Sequence, residues 1–195
     1  PGEENADLMI SLKKSKIEFV LCRHEQAAAF MADVYGRLTG KAGVCLATLG
    51  PGVTNLMTGL ADANMDRAPV VAIIGQGSTE RLHKESHQIM DSISMVTPIS
   101  KWAQTILSAK NVTEVVRKAF KVAETEKPGV TVIELPEDVA KEEVNENPIK
   151  PSLIRRPAAD YRAVNEAIEL IISAKNPIIL AGNGTIRKRA SHRLR

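Results

Sequence analysis

Residues 44–55 read Val-Cys-Leu-Ala-Thr-Leu-Gly-Pro-Gly-Val-Thr-Asn, and the fold follows from how this stretch turns. Val44 to Leu49 is near-continuously apolar rather than alternating, the pattern of a strand buried on both faces of a parallel sheet. Gly50-Pro51-Gly52 then permits a sharp turn and a close approach of the backbone to a neighbour. Val53, Leu56, Leu60 and Asn64 follow at helical spacing. The stretch is therefore strand, tight turn, helix, and the first amides of that helix can hold an anion or a polar ring. A turn that only joins strand to helix accounts for the same residues equally well. No Gly-Lys-Ser/Thr follows, so this is not a phosphate-cradling Walker loop.

The same alternation extends outward. Further apolar runs occupy Ile17–Cys22, Val70–Ile74, Val130–Leu135 and Ile178–Ala181. Between them lie helical stripes. Ala27, Met31, Val34 and Leu38 form one, stopped at Gly40. Val112, Val115, Val116, Ala119, Phe120 and Ala123 form another, with Asn111 and Glu114 spaced as a capping box and Lys127-Pro128-Gly129 as its end. This order predicts an α/β fold: a doubly wound, mostly parallel sheet with flanking helices and right-handed crossovers. Pro1-Gly2 is a turn of the kind a strand feeds, so a first strand is expected ahead of residue 1. Residues 136–160 carry Pro136, Pro148, Pro151 and Pro157 among charges and read as an extended linker. Asp160 then caps a helix with the stripe Val164, Ala167, Ile168, Ile171 and Ile172. The expected organisation is a domain over 1–140, a linker over 141–159, and the start of a second α/β domain over 160–195, with Ile178–Ala181 as that domain's first strand.

Composition narrows the function. The 26 basic and 23 acidic side chains nearly balance, and aromatic residues make up 3% of the chain. Neither a broad basic face nor stacking platforms are implied, which disfavours nucleic acid as a partner. No stretch approaches the roughly 20 apolar residues that cross a bilayer, so no membrane role is expected. The chain opens Pro-Gly-Glu-Glu rather than with a leader-like basic and apolar run. Cys22 and Cys45 sit in apolar runs and are expected to be buried, reduced thiols of a cytoplasmic protein. The basic end, Arg187-Lys188-Arg189 and Arg193-Leu194-Arg195, reads as a solvated helix start before it reads as a nucleic-acid arm.

Three loops stand where such folds bind ligands, beyond the carboxyl ends of strands. The first is Arg23-His24-Glu25-Gln26. Glu25 opens a helix, where a carboxylate complements the helix dipole; on the residues alone that reading comes ahead of the alternative, a carboxylate aimed into a cleft. The second is the Gly50-Pro51-Gly52 turn. The third runs from Gly75-Gln76-Gly77-Ser78 to His83-Lys84-Glu85-Ser86-His87-Gln88. His83 and His87 are four apart, as on one helix face, yet Lys84 stands where a metalloprotease needs glutamate, and no metal site is expected. Gly182-Asn183-Gly184 begins a dinucleotide-binding pattern, but Arg187 occupies the third glycine position.

Taken together, Pro1-Gly2 before a helix, the stretch from Arg23-His24-Glu25-Gln26 through Tyr35-Gly36-Arg37, and Thr48-Leu49-Gly50-Pro51-Gly52-Val53-Thr54-Asn55 resemble the thiamine-diphosphate enzymes related to acetolactate synthase. The resemblance runs over nearly the whole chain. It implies that residues 1–140 are a pyrimidine-binding domain. By it, Glu25 is the catalytic glutamate that hydrogen-bonds N1′ of the aminopyrimidine and favours the tautomer that deprotonates C2 of the thiazolium. Pro1, Gly2, Glu25, Thr48, Gly50 and Asn55 line the cofactor, and Gln88 faces the substrate. The implied reaction condenses two molecules of pyruvate to 2-acetolactate and carbon dioxide, the cofactor acting as electron sink. The resemblance further implies that Mg2+ and the diphosphate bind a Gly-Asp-Gly…Asn segment of a later domain, which these residues lack. It implies a homodimer or tetramer whose site joins the pyrimidine half of one subunit to the diphosphate half of a second. In some relatives a central domain holds FAD, which is undecided here. Residues 87–101 look most like catabolic acetolactate synthases among these enzymes, and acetoin formation and branched-chain amino acid biosynthesis both stay open as the role. Other readings are a different 2-keto acid decarboxylase or carboligase of the same family, and a non-catalytic, flavodoxin-like nucleotide-binding domain. Because the diphosphate motif is missing, these 195 residues alone are expected to form no acetolactate from pyruvate and to bind the cofactor weakly. A colorimetric acetolactate assay on the purified chain checks this.

Overall fold

A computed structural model describes residues 1–145, 147–151, 153–154 and 158–185. Contacts divide the chain into two compact units, Pro1–Ile154 and Arg155–Arg195. In the first, α1 (Ala6–Lys14) and α2 (Glu25–Thr39) precede β1 (Gly43–Ala47), α3 (Pro51–Met65) and β2 (Val70–Gln76). A short α4 (Ser92–Val96), β3 (Trp102–Thr105), α5 (Val112–Glu124), β4 (Val130–Pro136) and α6 (Glu137–Lys141) follow. The four described strands form one sheet in the order β1-β2-β4-β3, and every neighbouring pair is parallel. This is the expected α/β class.

Both faces of the central strands β2 and β4 are covered, whereas β1, at the edge of the described sheet, alternates, with Val44 50% exposed, and is not buried on both faces as expected. Val70, Ala72 and Ile74 of β2 and Val130 and Val132 of β4 point into a core with Val53, Leu56, Leu60 and Ala63 of α3 and Ala29 and Ala32 of α2. The alternate residues Val71 and Ile133 meet Ala119 and Ala123 of α5 and Val139 of α6 on the other face. This explains why β2 and β4 are apolar without alternation: each successive side chain enters one core or the other.

The helices begin and end as their sequences dictate. The His24 ring accepts a hydrogen bond at Nδ1 from the Gln26 amide, 3.1 Å away, and so caps α2. Gly40 ends that helix with φ 68°, a left-handed conformation that glycine adopts without steric penalty. Pro51 opens α3, where its missing N–H costs nothing. Helices α2 and α3 lie very close, because a Cβ on Gly59 would stand 2.6 Å from Cβ of Ala29.

Several expectations fail for physical reasons. Ile17–Cys22 forms no strand; Ile17, Val20 and Leu21 are more than half exposed. An apolar run becomes a buried strand only where partners flank it, and the described sheet ends at β1. Ile178–Ala181 likewise forms no strand, with Leu180 97% exposed. Strand β3, Trp-Ala-Gln-Thr, is an edge strand too short and too polar to register as an apolar run. Asn111 precedes α5, yet its side chain makes no capping bond, because a 3-10 turn over Ala109–Asn111 already sets a helical backbone there. The segment after Leu135 is not wholly extended, since Glu137 and Asp138 open α6. Cys45 is buried as expected, but Cys22 is half-exposed.

In the second unit Asp160 accepts from the Arg162 amide at 2.8 Å and caps α7 (Tyr161–Ser173) as predicted. Gly182-Asn183-Gly184 leads into a single 3-10 turn over Asn183–Thr185. Arg187 and the basic end through Arg195 lie outside the described residues. No described helix is long and apolar enough to cross a membrane.

Leu60 is fully buried between α3 and the sheet. Leu60→Ala is expected to destabilise the first unit by about 2–5 kcal/mol, the range for a leucine removed from a packed core, read from urea unfolding followed by circular dichroism.

Candidate active site

The close packing of α2 on α3 sets the central contact. Glu25 lies one turn before Ala29 on α2, and Asn55 one turn before Gly59 on α3. Residues four apart share a helix face, so the crossing that joins Ala29 to Gly59 also brings the two polar side chains together. Asn55 Nδ2 donates to Glu25 Oε2 at 3.0 Å. Farther along the same pair of helices, Arg37 bridges Asp33, Asp62 and Asp66 and ties α2 to α3. Glu25 is thus positioned by a helix start and a helix crossing, not by a strand running into it.

The turn after β1 closes around this pair. A Cβ on Gly52 would meet Thr48 Cγ2 at 2.9 Å and stand 3.7 Å from Glu25 Oε1. The absence of that methyl leaves room beside the free side of the carboxylate. Gly50 has φ 57° and ψ −117°, and a Cβ there would press on Gln88 at 2.8 Å. Gly2, at φ 84°, leaves the space that Thr48 Oγ1 fills; a Cβ would stand 2.1 Å from it. The Thr48 hydroxyl donates to Glu4 Oε2 at 2.9 Å. Pro1 is held through Asn5, whose Nδ2 donates to the Pro1 carbonyl at 2.8 Å and to the Ala47 carbonyl at 3.0 Å. The structure therefore gathers Pro1, Gly2, Glu25, Thr48, Gly50, Asn55 and Gln88 at the carboxyl end of β1.

Two participants, Asn5 and Glu134, escape sequence reasoning, and Gln76 of the third candidate loop gains a role that reasoning did not give it. Asn5 is 1% exposed inside a polar, otherwise unremarkable stretch, and its Oδ1 is buried without a hydrogen-bond partner. Gln76 and Glu134 are also buried, at the carboxyl ends of β2 and β4. Gln76 Nε2 donates to Glu134 Oε1 at 3.0 Å, and Thr105 donates to Glu134 Oε2 at 2.6 Å. Burial pushes the Glu134 carboxyl above the ordinary glutamate range, against the opposing pull of these two donors. A polar residue within an apolar run, as Glu134 is in Val-Thr-Val-Ile-Glu-Leu-Pro, was the available signal.

Other sequence features play no visible part. His83 and His87 lie in turns rather than on one helix, and both are exposed. Among the described residues no three His, Cys, Asp or Glu side chains are placed to hold a metal ion. Burial pushes the Cys45 thiol up to about 12, so it supplies no thiolate nucleophile at neutral pH. A cavity of about 470 Å³ between α5 and Pro148, Ile149 and Pro151 shares no residue with this cluster.

An aminopyrimidine fits what remains. It needs a carboxylate facing a ring nitrogen, a wall without side chains, and no competing cation on that carboxylate. Glu25, paired with a neutral amide beside a glycine-walled space, meets these demands. Residues 1–95 match the family model for the thiamine pyrophosphate enzyme N-terminal TPP binding domain. Over those residues it carries the N-terminal, cofactor-binding domain of the thiamine-diphosphate-dependent enzymes. Along its whole length it is similar to acetolactate synthases. It is 40% identical to a probable acetolactate synthase large subunit of Methanococcus aeolicus, an alignment covering 100% of this chain and 34% of the relative. It is 40% identical to a catabolic acetolactate synthase of Raoultella terrigena over 93% of the chain and 33% of the relative. A glyoxylate carboligase of Escherichia coli O157:H7 is 37% identical over 92% of the chain and 31% of the relative. The chain thus spans about a third of the length of these curated relatives.

Glu134 makes stability depend on pH. Its raised pKa means the native state binds this proton more tightly than the unfolded state does. Its contribution is complete at low pH and is lost as pH rises through the folded value. Glu134→Gln removes that loss. The urea midpoint of the variant relative to the parent is expected to rise as pH climbs above the ordinary glutamate range, where the parent loses this contribution.

Proposed function

We propose that this chain supplies the pyrimidine-binding half of a thiamine-diphosphate-dependent carboligase that condenses two pyruvates to 2-acetolactate and carbon dioxide. The observation that carries the proposal is the Asn55–Glu25 hydrogen bond beside the glycine-walled turn. Residues 1–140 form the cofactor domain, 141–159 the linker, and 160–195 open a central domain.

Thiamine diphosphate supplies the electron sink that the decarboxylation of a 2-oxo acid requires. The residues of this chain hold and tune it. Glu25 keeps one carboxylate oxygen on Asn55 and offers the other to a ring nitrogen, N1′ of the aminopyrimidine, where it holds a proton. Asn55 fixes the carboxylate plane, so the proton is shared along one direction. Gly50 and Gly52 let the ring approach the backbone of the turn, and the Asn5 clamp keeps Pro1-Gly2 against its edge. Gln88, on the far side of Gly50, faces the 2-oxo acid. Mg2+ and the diphosphate are held by a later domain of a second subunit in a homodimer or tetramer, and the enzyme is cytoplasmic.

A carboligase acting on another 2-oxo acid is the second reading, supported by the 37% identity to a glyoxylate carboligase. Product analysis on the full-length protein separates the two. Acetolactate from pyruvate is expected, and free aldehyde as the sole product would overturn the assignment. In the full-length protein, Glu25→Gln is expected to slow C2 deprotonation of bound cofactor by about two orders of magnitude or more. Hydrogen–deuterium exchange at C2, followed by NMR after acid quench, reads this directly, and an unchanged rate would remove Glu25 from its role.

A further inference from the structure

Gln76 is 2% exposed, and three of the four hydrogen-bonding positions of its amide are used, both donors among them. Its Oε1 accepts from the Gly77 amide at 2.9 Å. Its two Nε2 hydrogens go to Glu134 Oε1 at 3.0 Å and to the Met90 carbonyl at 3.1 Å. A flipped amide would set oxygen against a carboxylate and a carbonyl, and NH2 against N–H, so one orientation is enforced. Glu134 is in turn oriented by Thr105, the residue beside it in the sheet. The chain Thr105–Glu134–Gln76 thus transmits the position of three strand ends to one carbonyl in the loop that follows β2.

That loop carries Gln88, two residues before Met90. Gln88 has φ 55°, a left-handed conformation that a side-chain-bearing residue holds only when its surroundings over-determine it. On one side its backbone and Cβ occupy the space that Gly50 leaves by having no Cβ. On the other, the Gln76 bond to Met90 holds the loop down. A buried glutamate at this point is costly, and leucine or isoleucine would fill the same core volume without desolvating a carboxyl. The polar chain is accounted for if the loop, rather than the core, needs it.

We propose that Gln76, oriented by Glu134, is a positioning residue: through its bond to the Met90 carbonyl it sets the loop that presents Gln88 to the 2-oxo acid. The inference rests on the assignment of Gln88 to the substrate side. It predicts a separation of effects, because Gln76 serves the Gln88 loop while Glu25 is placed by α2 and α3.

The test uses the full-length protein. Gln76→Met removes both donors at similar volume but strands the Glu134 carboxylate, so the double variant Gln76→Met/Glu134→Met is measured beside it. For both, amide hydrogen exchange over residues 87–91 is expected to accelerate about tenfold, the effect of losing one buried hydrogen bond. KM for the 2-oxo acid rises about tenfold, while C2 exchange of bound cofactor stays within about twofold of the parent. Glu134→Gln, which still accepts from Gln76, keeps the loop at the parent's exchange rate. Parental loop exchange in both Met variants would overturn the proposal, as would a fall in C2 exchange parallel to the KM effect. Faster loop exchange with an unchanged KM would overturn it through its premise, removing Gln88 from the substrate side.

Discussion

The site depends on how closely α2 lies on α3. Gly59 presents no side chain, Ala29 presents a single methyl, and the two helices meet where these residues face each other. Everything one turn toward the helix starts is then brought within hydrogen-bonding distance, which is why Glu25 and Asn55 pair although 30 residues separate them. Arg37 strengthens the arrangement farther along by bridging Asp33 on its own helix and Asp62 and Asp66 on the other. The guanidinium is more than a third exposed, so its contribution is screened, and it serves register more than stability. The dry contact of small residues carries the geometry.

Glycine acts at this site by subtraction. Gly2, Gly50 and Gly52 each occupy a place where a Cβ would strike a neighbour, and the neighbours struck are Thr48, Gln88 and the surroundings of the Glu25 carboxylate. The turn therefore does two things at once. It leaves a wall without side chains beside an acceptor, and it seats the loop from the next strand. Polar groups buried around it are tolerated because they are paired: Asn5 through its Nδ2, Gln76 through both donors and its oxygen, and Glu134 through both oxygens. Asn5 Oδ1, which lies next to the backbone of Gly75, and Ser92 Oγ are exceptions.

Much of this was legible in the sequence. The buried strands β2 and β4 announced themselves as unbroken apolar runs, because each side chain has a core to enter on its own side of the sheet. Helices α2, α3 and α7 showed their stripes, and Gly40, Pro51 and Asp160 marked ends by local backbone and capping chemistry. The errors over strands have one source. Ile17–Cys22 and Ile178–Ala181 have strand composition, but a strand is a relation to neighbours and not a property of six residues. Trp102–Thr105 lacks the composition and is a strand nonetheless, because β4 offers it a free edge.

The sequence by itself determined the class of sheet and the strand–turn–helix unit at Gly50-Pro51-Gly52, since these rest on periodicity and on backbone freedom. Only the tertiary structure decided that Asn55 holds Glu25, that Gly50 faces Gln88, and that Gln76 and Glu134 reach across the sheet to the same loop. Those are contacts between residues 14 to 58 positions apart. Local physical chemistry sets what each segment prefers to be, but which segments meet is settled by packing helices onto both faces of one four-stranded sheet.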